Sequence, residues 1–457
     1  MRNKFAAPTR AAASAAALLS LVLVPQLAMA DEPKGDVAWD IVAGLTTEVG
    51  ERLAGSEAEA RARSWAEARL KALGFANVRV EGFPIRGFVR GIDEAHLVAP
   101  VPQHLAITAL GYSAPTPAKG IEGEVMYFPS LDALKAAPAG SLSGKIAFVD
   151  HAMRANQDGS GYGPYGNVRR QGPAIASKLG AMAVVIRSAG TDSHRNPHTG
   201  ATNFTDGIKP IPAGAVSNPD ADLIARTFAH MQPGGKPVRL ALTLTSHAQD
   251  KMPSGNVIAD LPGRDPSLPM IVIGCHLDSW DLGTGAIDNA AGCAIITAAA
   301  LKAQEGGAPL RTIRVLWAGS EELGGYGGDA YAKAHAGDKH ALGMESDFGA
   351  DRVWRVQYAF ADANKPLADK ITAALNPLGI VTSAGKADGG TDVEPIIAAQ
   401  KLAVIGLGQD GTHYFDLHHT PDDTLDKIDP AMLDQNVAAW TAVLKIVANE
   451  AGVIAAP

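Results

Sequence analysis

Cysteine is scarce, with Cys275 and Cys293 the only two in 457 residues. That is too few for a secreted scaffold stapled by disulfides and the wrong number for a thiolate-ligated metal site. Cys275 ends an apolar run and Cys293 falls in a small-residue helix start, so two buried free thiols are expected, with a bond between them as the alternative. Positive charge is also short: 40 Lys and Arg stand against 48 Asp and Glu, a net charge of −8. No long basic run follows the N-terminus, which argues against nucleic acid or an anionic membrane surface as the main partner. The 49 Gly and 29 Pro lack the bias of fibres or disorder, and 46% hydrophobic with 19% charged residues is an ordinary folded composition. Internal repeats are missing. At roughly 100 to 200 residues per domain, the length implies two or three domains with their own cores.

The first thirty residues differ from the rest. Arg2, Lys4 and Arg10 precede an apolar stretch from Ala11 to Val24, and Ala28-Met29-Ala30 supplies small residues at a cleavage point. Residues 1–30 are expected to be a secretory signal peptide, because the apolar run is short for a membrane span. Cleavage would deepen the negative charge by three and leave an exported protein, periplasmic or extracellular, with no membrane attachment.

Ser56 to Leu73 has helix grammar, with Ser56 and Glu59 as a capping box, Ala62, Trp65, Arg69 and Leu73 at helical spacing, and Gly74 as the stop. A strand near Val78 to Val80 follows. From about 101 to 250 the texture turns to short β-rich runs, including Lys145 to Asp150 and Ala181 to Ile186. This stretch resembles a protease-associated domain, and its role is read as a cap limiting substrate length, with a packing or dimerisation module as the alternative. Gly159 to Gly166 within it reads as a flexible loop. After Ser254, apolar runs alternate with helical segments: Met270 to Cys275, Ala286 to Gln304, Thr312 to Ala318, Ala330 to Ala336, Trp354 to Phe360, Pro366 to Leu375, Leu402 to Leu407 and Pro430 to Asn449. Such alternation predicts an α/β fold with a mostly parallel central sheet covered by helices on both faces.

The acidic and histidine clusters fall just after those strands: His276-Leu277-Asp278, then Asp288-Asn289-Ala290 opening a helix, Ser320-Glu321-Glu322, Glu345-Ser346-Asp347 and His418-His419-Thr420. Ligands of open α/β sheets bind beyond the carboxyl ends of strands. Two imidazoles and several carboxylates meeting there make a site for two divalent cations. Cations roughly 3.5 to 4 Å apart repel, so a carboxylate must bridge them and others must neutralise the remaining charge. A nearby carboxylate outside the ligand set can then take a proton from water and pass it to a leaving amine.

On these motifs residues 254–424 resemble the catalytic domain of the secreted zinc aminopeptidase family that includes carboxypeptidase Q. The resemblance implies a metallopeptidase catalytic domain over 31–100 and 251–457, with 101–250 inserted. It implies His276, Asp288, Glu322, Asp347 and His419 as metal ligands. Asp288 would bridge, Glu322 and His419 would complete one metal, and His276 and Asp347 the other. Glu321 would be the catalytic general base and acid, and Asp278 the group behind His276 that fixes its tautomer. Two zinc ions are implied, with cobalt or manganese also suited to such donors, and relatives suggest a homodimer. Glu345-Ser346-Asp347 leans toward the carboxypeptidase Q branch, and Asp392 in Gly389-Gly390-Thr391-Asp392 is a supporting residue. His418 is set aside in favour of His419, His413 and Tyr414 are read as uncertain with packing favoured for Tyr414, and Asp422 and Asp423 as braces of the His419 loop. The activity implied is hydrolysis of terminal peptide bonds in dipeptides or short peptides. The alternatives are a single-zinc cyclase acting on N-terminal Gln and an inactive binding protein of the same fold.

Overall fold

The structure is a computed structural model that describes residue 1 and residues 36–205, 207–231 and 234–457. The expected signal peptide lies outside the described residues. Two eight-stranded sheets organise the chain. The first runs in the order Ala76–Val89, His247–Leu261, Ile313–Ala318, Met270–His276, His340–Glu345, Ala403–Gln409, Val353–Ala359, Val381–Thr382. Its four middle strands from Ile313–Ala318 to Ala403–Gln409 are mutually parallel, and antiparallel pairs flank them. Alternation along Met270–His276 explains why both faces are covered. Ile271, Ile273 and Cys275 join the apolar cluster that includes residues of the helices Val37–Gly44, Ala291–Ala303 and Pro430–Val447. Val272 points the other way, onto Tyr331, Val393 and Ile396. The expected α/β fold is therefore present, with the parallel pairing concentrated at the centre.

The helix Glu57–Ala72 starts as its sequence dictates. Ser56 accepts from the Glu59 amide at 3.1 Å, and the Glu59 carboxylate accepts in return from Gly55 N–H at 3.0 Å.

The second sheet draws its strands from residues 93–244 and mixes parallel and antiparallel pairs. Here one expectation fails. Gly159 to Gly166 is not all loop, because the helix Tyr162–Lys178 begins inside it. Pro164 sits in the first turn, where its missing N–H costs nothing, and Tyr162 stacks on Phe415 with ring centroids 4.4 Å apart. Packing of this kind outweighs the poor helix propensity of Gly.

The cysteines also correct the sequence reading. They form a disulfide between the end of Met270–His276 and the first turn of Ala291–Ala303. The chain leaves the sheet edge after His276 and returns in that helix, which packs on the strand, so the two Cα atoms lie 5.2 Å apart although 18 positions separate them. Replacing both by Ala should cost about 3 kcal/mol, the chain-entropy value for a loop of this length. Urea unfolding of the double variant checks this, and an unchanged midpoint would contradict it.

Candidate metal centre

The carboxyl ends of the parallel strands bring the expected ligands together. His276 is the last residue of its strand. Its Nε2 lies 3.0 Å from Asp288 Oδ1 and 3.0 Å from Asp347 Oδ1. His419 Nε2 lies 3.2 Å from the other oxygen of Asp288 and 2.9 Å from Glu322 Oε2. Two triads thus form, His276–Asp288–Asp347 and Asp288–Glu322–His419, sharing Asp288. Donors about 2.0 to 2.2 Å from one tetrahedral ion stand roughly 3.3 Å apart, so these spacings suit a common cation in each triad. Glu322 Oε1 is buried and meets no hydrogen-bond partner among the described residues, which also suits a cation there. His419, not His418, enters the cage.

The titration behaviour reflects the close contact of imidazoles with carboxylates. Burial opposes protonation of His276 and His419, but Asp347 and Glu322 respectively, with further carboxylate hydrogen bonds, carry both imidazoles well above their usual range. Burial works against Asp288 as an anion, yet its bonds to the two imidazoles hold it well below the usual carboxylate range.

Comparison with known proteins bears out the resemblance. The sequence pattern of peptidase family M28 matches residues 256–444. Carboxypeptidase Q of Mus musculus is 32% identical over 409 residues, covering 89% of this chain and 84% of its own. Carboxypeptidase Q of Homo sapiens is 32% identical over 418 residues, 90% and 85% of the two chains. A crystal structure of a peptidase M28 precursor from Shewanella amazonensis superposes with a TM-score of 0.89 at 43% identity, covering 92% of this chain and 95% of that one. The chain belongs to peptidase family M28. It is accordingly a metallopeptidase. A zinc aminopeptidase from Bacillus subtilis shares its fold, with a TM-score of 0.64 at 18% identity over 89% of this chain and 93% of that one.

Around the cage of this M28 peptidase the bracing differs from expectation in two places. His276 Nδ1 donates to the main-chain carbonyl of Asp278 at 2.9 Å, whereas the Asp278 carboxylate is 3.7 Å away. That carboxylate instead accepts from the Glu321 and Glu322 amides at 3.0 and 3.3 Å, because two main-chain donors satisfy both its oxygens and fix the turn that carries the acids. Ser320, just before them, is held at φ 63°. Asp423 likewise braces a different segment from the one assigned to it. Its oxygens accept from Ile287 N–H at 2.7 Å and Asp288 N–H at 3.2 Å, anchoring the irregular turn that presents Asp288. Burial and the Asp288 charge push Asp423 up to about 7. Asp288 does not open a helix as its motif suggested. Its φ of −132° and ψ of 83° are non-helical, and the helix proper begins at Ala291.

Glu321 faces the cavity yet is surrounded by protein, and burial first, then Asp347, Glu322 and Asp392, raise its carboxyl well above the usual range against the pull of His276. Asp392 is fully buried beside Glu345, which accepts from its amide at 2.8 Å, and is raised in the same way. Tyr414 packs between Phe348 and His418, at 4.6 Å from each ring, and also lines the cavity.

The cavity holds about 780 Å³. It is lined by Asp288, Glu321, Glu322, Asp347 and His419, and also by Tyr162, Arg169, Arg170 and Phe204 from the span that carries the second sheet. Sequence reasoning missed Arg52, a buried guanidinium that donates to the carbonyls of Leu277 at 2.6 Å, Thr284 at 2.6 Å and Gly285 at 2.8 Å, tying the loop between His276 and Asp288. Burial lowers it to about 10 despite the surrounding acids. It missed Arg169 and Thr199, which meet His419, as well. Carbonyl-directed contacts of this sort leave no spacing signature.

Proposed function

We infer that the protein is an exported di-zinc exopeptidase that hydrolyses terminal peptide bonds of dipeptides and short peptides. The observation that supports this most is the division of labour in Asp288, whose two carboxylate oxygens each face a separate His–carboxylate pair. His276 and Asp347 would hold one ion, Glu322 and His419 the other, with Asp288 shared. Mixed imidazole and carboxylate donors suit zinc. Zinc bound there supplies Lewis acidity toward a peptide carbonyl and acidifies water. Glu321 accepts the proton of the attacking water and delivers it to the departing amine, a task suited to a carboxyl that lines the cavity beside the cage without belonging to either triad. The Asp278 carboxylate holds Glu321 in place through its amide. The cavity's limited volume favours short substrates, and Arg169 and Arg170 in its wall suit a free terminal carboxylate.

A panel of dipeptides, free or blocked at either end, tests this with zinc-loaded and chelator-treated protein. Free dipeptides should be hydrolysed by the loaded protein alone, with carboxyl-terminal amides poorer substrates, and metal analysis should find close to two ions per chain. Near one ion per chain with cyclisation of N-terminal Gln would favour the cyclase reading, and no hydrolysis of any substrate would favour a binding protein.

A further inference from the structure

The inserted region reaches past the cavity walls to the metal-ligand loop itself. Thr199 N–H donates to the main-chain carbonyl of His419 at 3.0 Å, and the Thr199 carbonyl lies 3.3 Å from His419 Nδ1. Arg169 donates to that same carbonyl at 3.1 Å, its Nη1 lying 3.2 Å from the imidazole Nδ1. The Thr199 hydroxyl in turn donates to Ala109 O at 2.9 Å, tying the contact to the second sheet. Gly200, next in sequence, has φ 135°, and a Cβ there would overlap the Arg169 guanidinium. His419 is itself held at φ 57°, a left-handed backbone that a non-glycine residue adopts only when its surroundings impose it.

We propose that Thr199 and Arg169 of the inserted region form a positioning clasp that sets the ring orientation and tautomer of His419, so that docking of this region and cation binding at the Asp288–Glu322–His419 triad are coupled. The clasp rests on the di-zinc reading of the cage. With a cation held between Nε2 and the Asp288 and Glu322 oxygens, the imidazole proton would reside on Nδ1 and be donated to the Thr199 carbonyl. That oxygen has two lone pairs, and the second takes the Arg169 N–H. A carbonyl behind a ligating imidazole fixes its tautomer and raises its basicity as a ligand. Arg169 therefore acts one bond further out, by holding the carbonyl. Coupling is reciprocal: an ion that prefers the oriented ring must also favour the docked inserted region.

Zinc titration of the full chain by calorimetry, with amide hydrogen exchange on the same samples, tests the clasp. Arg169→Met and Gly200→Ala should each weaken one of the two ions by roughly 10- to 100-fold, the cost of losing an outer partner of a ligand, and leave the other ion near its wild-type affinity. Arg169→Lys, which keeps a donor for the Thr199 carbonyl, should recover most of the loss. In the wild type, zinc should slow exchange at the Thr199 amide, and chelation should restore it. Wild-type affinity for both ions in Arg169→Met and Gly200→Ala, or equal weakening of both, would overturn the proposal. Should those variants not fold, zinc-independent exchange at Thr199 in the wild type would overturn it. A wild-type chain that takes up no zinc would remove the di-zinc reading first, and the clasp with it.

Discussion

Glu321→Gln should lower peptidase turnover by roughly 10²- to 10⁴-fold, the contribution of a positioned general acid and base, while zinc content stays near that of the wild type. The amide keeps the shape of the side chain and its place at the cavity edge, and the turn under it is held from below by the Asp278 carboxylate through main-chain N–H groups that the substitution does not touch. What disappears is the ability to take a proton. KM should change little, because Glu321 is not needed to seat the substrate. Metal analysis and steady-state kinetics on one preparation check both halves. Wild-type turnover in the variant would remove Glu321 from the mechanism, and loss of metal would make it a ligand.

Metal removal should make the protein's stability depend on pH in a defined direction. Burial, then mutual repulsion, raises Glu321, Glu345 and Asp392 well above the ordinary carboxylate range, and Asp423 to about 7. A carboxyl whose folded pKa exceeds its unfolded value of about 4 binds more protons folded than unfolded, so its stabilisation is present at low pH and is lost as pH rises through the folded value. His276 and His419, raised by their carboxylate neighbours, act in the same direction above their unfolded value of about 6.5. Asp288 alone in the cage is lowered, and its opposite effect falls below the ordinary carboxylate range. Burial holds the imidazoles of His198 and His418 well below their usual range, so they act in the opposite sense up to about pH 6.5. The melting temperature of chelated protein should therefore decline between about pH 6.5 and about pH 8. Cations that bind only the folded cage offset this repulsion, so the zinc-induced rise in melting temperature should grow across the same window. A flat or rising profile for chelated protein, measured calorimetrically, would contradict the account.

Much of the cage was legible before any coordinates. Apolar runs such as Met270 to Cys275 and Thr312 to Ala318 announce buried parallel strands, and acids or His immediately after them must gather at one sheet edge. Which of those side chains act as ligands was implied by the resemblance to the zinc aminopeptidase family, whose motifs occur here in the same order. The supports of the cage were not legible to the same degree. Asp423 stands 135 positions from the Asp288 amide it accepts from, and Arg52 is 225 positions from the Leu277 carbonyl it holds. Thr199 serves His419 through its main chain, and every residue type carries that carbonyl, so no side-chain pattern marks the position. The helix start at Tyr162 was hidden because glycine and proline signal loops locally, whereas stacking of Tyr162 on Phe415 is a long-range gain.

The order of strands, helices and acidic turns along the chain was enough to determine the fold class and the set of side chains at the sheet edge, since periodic burial and strand polarity are local consequences of residue type. Folding in three dimensions alone decided that Cys275 and Cys293 join, that Asp423 and Arg52 brace the Asp288 turn, and that Thr199 and Arg169 meet His419. Those outcomes depend on which main-chain atoms of distant segments meet, and a main-chain donor or carbonyl looks the same at nearly every position of a sequence.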